Sequence, residues 1–312
     1  MIYIIKSEEN GKTVKEILRL SIGLSMAHIK HLKFLDDGIV LNGKKVTVRK
    51  VVSEGDVLEL AVEDRDDGHR LTPTDIPVDM IFEDECMAVP NKPPFMPTHP
   101  SHLHHGDTLA DALAFRYKSQ GATFVFRPIN RLDRNTSGLT LIARDRISAA
   151  KLTKAMQDGR IKKRYVALLE GEIPAYDGII ETYIKRTAES IIVRTNCAEN
   201  QGGDYALTRY KCITKANGYS LVLASPITGR THQLRVHFSG LGCPIIGDDI
   251  YGKADEKIGR HALHAISLSL PHPKSNEELS LRAPLPHDMK NLIVELMGED
   301  SLNLLEAELN NE

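Results

Sequence analysis

Five β-rich runs follow one another late in the chain: Tyr165–Leu169, Ile179–Ile184, Ile191–Arg194, Ala206–Ile213 and Tyr219–Ala224. Their β-branched and aromatic residues suit half-buried strands. Strands in runs, with no strict alternation of helix and strand, predict the α+β class. Earlier, Phe124-Val125-Phe126 and Leu139–Ala143 read as strands on either side of a polar loop. Helices are fewer. One is capped by Asp107-Thr108 and runs through Leu109, Leu113 and Tyr117. A second covers Ser148 to Gln157 and ends at Gly159, and a third covers Thr231 to Phe238 and is stopped by Gly240.

A length of 312 residues fits about two domains, and 41% hydrophobic content is ordinary for a soluble globular chain. Cys86, Cys197, Cys212 and Cys243 lie far apart without paired spacing, which argues against a zinc site and for a reducing, cytoplasmic setting. MIYIIKSEEN does not read as a signal peptide, and no apolar run has the length of a membrane span. His99, His102, His104 and His105, and His261 with His264, have spacings that metal ligands can use. No carboxylate or cysteine cluster accompanies them, so polar loops are expected and no metal.

Net charge is only −2, but it is unevenly spread. Residues 11–50 hold nine Lys/Arg against three Asp/Glu, whereas residues 291–312 hold six acidic residues and no basic ones. A basic arm that meets nucleic acid and an acidic, solvated, partly helical end account for this polarity. Between them, Glu63-Asp64-Arg65-Asp66-Asp67-Gly68 marks a linker. Within the basic arm, Thr13 to Leu20 reads as a short helix, and Ser25 is the expected N-cap of a second through Met26, Ile29 and Leu32. Ile39-Val40-Leu41, Asn42-Gly43 and Lys44-Lys45-Val46 form a strand, a tight turn and a return. Gly55-Asp56 then precedes a strand Val57 to Val62. LSMAHIKHLKFLDDGIVLNGKK and GDVLEL resemble the alpha-L RNA-binding module, first named for a small-subunit ribosomal protein. That resemblance implies RNA contact through the basic face, for which Lys30, Lys33, Lys44 and Lys45 are the candidates.

Residues 130–139 carry the chemistry: Asn-Arg-Leu-Asp-Arg-Asn-Thr-Ser-Gly-Leu. Asp133 sits between Arg131 and Arg134, and an acid among cations stays charged, ready to act as nucleophile or base. By itself the string fits equally a surface turn with weak ion pairs. It closely resembles, however, the signature around the catalytic aspartate of RluA-type pseudouridine synthases, His-Arg-Leu-Asp-x-x-Thr-Ser-Gly-Leu, with Asn130 in place of the histidine. Further blocks follow in family order. Ile76–Ser101 holds the Lys92-Pro93 pair, with Pro94-Phe95 where a small residue and glycine are usual. Lys163-Arg164-Tyr165-Val166-Ala167 is similar to the lysine-x-tyrosine segment, and Ile227 to Tyr251 to the third motif. Ala283-Pro284-Leu285-Pro286 is similar to the closing segment. The resemblance spans about 76–298.

It implies a mixed, largely antiparallel sheet crossed by an active-site cleft, and an isomerase that needs no cofactor. The domains are then 1–65 (RNA-binding module), 66–75 (linker), 76–298 (catalytic) and 299–312 (acidic tail). By resemblance, Asp133 is the catalytic aspartate, Arg230 the guanidinium that pairs with it, and Tyr165 the ring beneath the base. Leu234 lines the uracil pocket, with ordinary core packing as the competing reading. Arg131 suits phosphate contact or the gap left by an extruded nucleotide. Covalent attack on the sugar and abstraction of a ribose proton both remain open for Asp133. The expected substrate is RNA, ribosomal and large-subunit by preference over transfer RNA, acted on by a monomer. The alternatives are a non-catalytic RNA-binding or ribosome-assembly protein, against which intact Asp133, Tyr165 and Arg230 argue, and a sugar-cleaving hydrolase, for which no second carboxylate sits at motif spacing.

Overall fold

The computed structural model describes residues 2–24, 26–35, 37–61, 71–101, 103–190 and 192–310. Residues 2–60 build a small sheet of their own. Strands β1 (Ile2–Ile4), β2 (Ile39–Leu41), β3 (Lys44–Lys45) and β4 (Val57–Leu60) pair in the order β1-β4-β2-β3, all antiparallel. Asn42 and Gly43 both take positive φ, the conformation a two-residue hairpin requires, and Asn42 also bonds Asp56 and the Val57 amide at 2.7 Å each. Helix α1 (Val14–Glu16), capped by Thr13, widens into a π turn over Ile17–Ser21, and α2 (Met26–Phe34) follows. Val14, Ile17, Leu18, Ile29, Leu41 and Leu58 form this unit's core, which Ile147 from the following domain joins. The expected N-cap Ser25 and linker residues 66–70 lie outside the described residues.

The second sheet joins twelve strands. They are β5 (Asp79–Glu83), β6 (Met87–Lys92), β7 (Arg127–Pro128), β8 (Ser137–Leu139), β9 (Ile142–Ala143), β10 (Lys162–Glu170), β11 (Asp177–Arg186), β12 (Arg194–Cys197), β13 (Asp204–Ala216), β14 (Tyr219–Pro226), β15 (Leu263–Pro271) and β16 (Glu278–Arg282). Their path runs β12-β11-β13-β14-β10-β15-β8-β6-β9-β7, with β16 beside β15 and β5 beside β6. Among the described pairings only β15 with β8 is parallel, so the sheet is mixed and largely antiparallel. Helices α3 (Leu109–Ser119), α4 (Arg146–Gln157), α5 (Gln233–Gly240), α6 (His287–Met297) and α7 (Glu299–Asn310) complete the α+β fold. The main core gathers Val166–Leu169 of β10, Leu221–Ala224 of β14, Ile266 of β15, Phe238 of α5, Met289 and Ile293 of α6, and Leu305 and Leu309 of α7.

Four local expectations are corrected. Phe124–Phe126 is not a strand. Phe124 stacks on Tyr117 at 4.5 Å, and the ladder starts only at Arg127. The run expected at 191–194 pairs instead over Arg194–Cys197; Ile191 lies outside the described residues. His261 and His264, expected in a polar loop, are buried just before and within β15, a strand whose near-continuous burial hid it from an alternating pattern. The acidic end is not a solvated tail. Helix α7 buries Ser301, Leu305 and Leu309, while Glu308 meets Lys211 at 2.7 Å and Glu306 meets Arg282.

Candidate active site

Asp133 sits in the loop that leaves β7 and enters β8, and that loop is tethered from several sides. At its base, Asn130 accepts from the Leu141 amide at 2.6 Å and donates to the Leu139 carbonyl at 3.4 Å, sewing the two ends together. Asparagine in place of histidine therefore has a structural use here. Thr98 Oγ1 donates to the Leu132 carbonyl at 2.8 Å, and Lys92 Nζ to the Arg134 carbonyl at 3.1 Å. Behind the loop, Arg260 Nη1 reaches the Asn135 carbonyl (3.3 Å), His261 Nε2 meets Thr136 Oγ1 (2.7 Å) and His264 Nδ1 meets Ser137 Oγ (2.8 Å). Burial lowers the pKa of both histidines to about 3, so they are neutral tethers. Gly138 is required, because it runs at φ 111 against β15, where any Cβ would collide with the Ala265 backbone.

The charge facing Asp133 comes from Arg235. Its Nη1 lies 3.5 Å from Asp133 Oδ2, while its Nε and Nη2 each donate to Asp248 at 2.7 Å in a two-pronged pair. Asp248 is fully buried and further accepts from the Ile250 and Tyr251 amides at 3.1 Å. Burial works against both charges. The hydrogen bond and the charge of its partner nevertheless hold Arg235 above the usual guanidinium range and Asp248 below the usual carboxylate range. One guanidinium thus ties a partly exposed carboxylate to a buried one, and fixes where Asp133 points.

Arg230 does not pair with Asp133. It lies exposed before α5 and donates through Nε to the Tyr205 carbonyl at 2.9 Å. The helix starts later than expected, at Gln233, because His232 takes a left-handed backbone (φ 59) at its N-terminus. That bend brings His232 Nε2 to 3.9 Å from Asp133, with Nδ1 2.8 Å from the Tyr251 hydroxyl. Burial lowers its pKa against the pull of Asp133. Arg235, Asp248 and His232 were all missed as functional residues. A cation inside the apolar helical run Leu234, Val236 and Phe238 was the available signal, since a buried charge needs a partner. Arg131 and Arg134, the cations adjacent in sequence, are exposed and make no ion pair with Asp133 among the described residues.

Tyr165 is buried on β10 where that strand begins to pair with β14, in one apolar cluster with Leu132 and Leu234. Burial, and then the charge of Asp133, raise its phenol above the ordinary value, so it stays protonated. Leu234 is itself buried, as core packing alone would also place it. The candidate lysines of the first unit, Lys30, Lys33, Lys44 and Lys45, are all exposed, and Lys44 lines a groove with Lys50 and Asp56.

Asp84, Cys86 and His272 could together hold a metal. The donor atoms of Asp84 and His272 are already engaged. The Ser275 amide donates to His272 Nδ1 (3.1 Å), which places the ring proton on Nε2, where it bonds Asp84 at 2.7 Å. Asp84 also accepts from the Cys86 and Met87 amides at 2.8 and 2.9 Å, which makes the group a strand clasp. No described helix is long and apolar enough to cross a membrane.

A family model described as RNA pseudouridylate synthase matches residues 87–240, a span that includes the Asp133 loop, Tyr165 and Arg235. An uncharacterised RNA pseudouridine synthase of Bacillus subtilis, YjbO, is 36% identical over 90% of this chain and 98% of its own length. The ribosomal large subunit pseudouridine synthase D of Zymomonas mobilis is 34% identical, covering 72% of this chain and 74% of its own. Among solved structures, human RNA pseudouridylate synthase domain containing 4 superposes with a TM-score of 0.57 at 25% identity, over 70% of this chain and 92% of that one. By this family match and these identities the chain belongs to the RluA-type RNA pseudouridine synthases.

Proposed function

We propose that the chain converts uridine to pseudouridine in large-subunit ribosomal RNA, with Asp133 as the reacting carboxylate. The observation that carries this reading is the Arg235 bridge between Asp133 and buried Asp248. Isomerisation breaks the bond between uracil nitrogen and ribose, turns the base and rejoins it through carbon 5, which gives up a proton. A negatively charged group must meet the sugar from a fixed direction, and Arg235 supplies the direction. Asp133 then either attacks the anomeric carbon, as in retaining glycoside hydrolysis, or removes a ribose proton. The freed uracil needs a flat surface, and Tyr165 offers one whose protonated phenol also donates a hydrogen bond. Leu234 closes the apolar side. Arg131, exposed on the same loop, contacts phosphate in this reading.

Residues 2–60 act as the RNA-binding module, through Lys30, Lys33, Lys44 and Lys45. The ribosomal preference is supported by the relative from Zymomonas and by the alpha-L pattern. Mapping pseudouridines in total RNA from cells with and without the gene tests the whole reading. A large-subunit site should disappear on deletion and return with the wild-type gene but not with Asp133→Asn. Loss confined to transfer RNA would overturn the ribosomal assignment, and return with Asp133→Asn the catalytic one.

A further inference from the structure

Between β6 and Thr98 the chain makes a tight turn with Pro94 and Phe95 at its apex. Phe95 has a left-handed backbone, φ 63, which is an outlier for a bulky side chain. Glycine is the residue such a turn favours at this position after a proline. The ring is not held there by stacking. It is 48% exposed, and no other aromatic ring packs on it among the described residues.

The turn is nevertheless held by hydrogen bonds. The buried Lys92 ammonium donates to the carbonyls on both sides of Phe95, Pro93 at 2.9 Å and Met96 at 2.7 Å, and to that of Arg134 at 3.1 Å. Three carbonyls on one cation lock the turn to the residue after Asp133. Burial lowers the pKa of Lys92 to about 7, against the attraction of Asp133. Thr98, three residues on, is bonded to Leu132, the residue before it. An exposed ring on a strained, clamped turn is thereby tied to the loop that carries exposed Arg131 and Arg134. Strain kept at the edge of a reacting site is evidence of use. An aromatic among cations is how proteins hold unpaired nucleotides, by stacking on the base and contacting the phosphate. With no tryptophan and seven phenylalanines in the chain, such a ring is scarce.

We propose that Phe95 is an RNA-binding residue whose ring stacks on a base neighbouring the uridine that enters at Asp133. The inference rests on RNA being the substrate, and not on which RNA it is. The probe is total RNA from cells lacking the gene, with single-turnover pseudouridine formation followed over a range of RNA concentration. Phe95→Gly should raise the half-saturating RNA concentration about tenfold, the scale of one base–aromatic stack, with little change in the saturating rate. Its Tm should hold or rise, because glycine adopts this backbone freely. Phe95→Trp should restore binding, whereas Phe95→Leu, apolar but without a π face, should not. Half-saturation unchanged in Phe95→Gly, or Leu as effective as Trp, would overturn the proposal. So would a Phe95→Gly protein that unfolds or loses stability, since the ring would then be structural. A wild-type enzyme inactive on this RNA would sink the reacting-site assignment instead. Retention of the same RNA on filters would still rank the Phe95 variants.

Discussion

In the cleft, Asp248, Arg260, His261 and His264 are almost completely buried. Asp133 stands on a loop fastened, through backbone or side chain, at Asn130, Leu132, Arg134, Asn135, Thr136 and Ser137. In residues 2–60 the arrangement is reversed. Lys30, Lys33, Lys44 and Lys45 are exposed on helix and hairpin surfaces, above an apolar core. Buried, paired charge fixes geometry and is costly to disturb. Exposed charge attracts polyanions over a distance, and salt screens it. The two regions should therefore fail differently: the cleft in rate, the module in affinity.

The largest effect belongs to Asp133→Asn, which keeps shape and removes charge. Purified variant should lose turnover by at least about 10⁴-fold, the scale for removing a nucleophile or base, with RNA affinity nearly intact. Pseudouridine formed above the no-enzyme background would break the assignment.

The two arginines of the third motif come next. Arg235→Lys cannot hold both prongs of Asp248 and still face Asp133, so turnover should fall on the order of 10²-fold, as when one oriented donor is removed. Arg230→Lys should stay within about fivefold, as for an exposed group. Equal losses would mean that the exposed arginine swings in when RNA binds.

A pH effect on stability sharpens the contrast further. His261 and His264 titrate near 3 when folded, against 6.5 for the free side chain. Below about pH 6.5 the unfolded chain binds protons that the folded one refuses, so stability falls as pH drops from there toward 3. Each histidine contributes a slope that approaches about 1.4 kcal/mol per pH unit. Denaturation between about pH 6.5 and 5, above the carboxylate range, should show a shallower slope for His264→Gln. An unchanged slope would place that ring in contact with solvent.

The smallest effect is in the module. Replacing Lys44 and Lys45 together by Gln should flatten the salt dependence of binding to single-stranded RNA, by about 0.7 in slope for each phosphate that is no longer neutralised. The saturating rate should stay the same. A change in that rate would mean that the module helps to build the cleft, for which the seating of Ile147 in its core gives a route.

Sequence alone determined the class of fold, the Asn42-Gly43 hairpin, the helix capped by Thr108 and the position of the Asp133 loop, because short-range patterns and turn chemistry are written locally. It could not say which arginine meets Asp133. Arg230 and Arg235 are close neighbours in one motif, and only the left-handed bend at His232, the helix that follows and the burial of Asp248 decide between them. Nor could it show that β15 brings a histidine behind the loop, with a second just before it, because a strand buried on both faces has no alternation to detect. The acidic end likewise reads as solvated until its few apolar positions find the surface of the sheet. What the tertiary structure decided was pairing across 102 residues for Arg235 with Asp133, and across 125 and 127 for the histidines with Thr136 and Ser137. Pairings of that range depend on which faces the folded sheet buries, and no local pattern carries them.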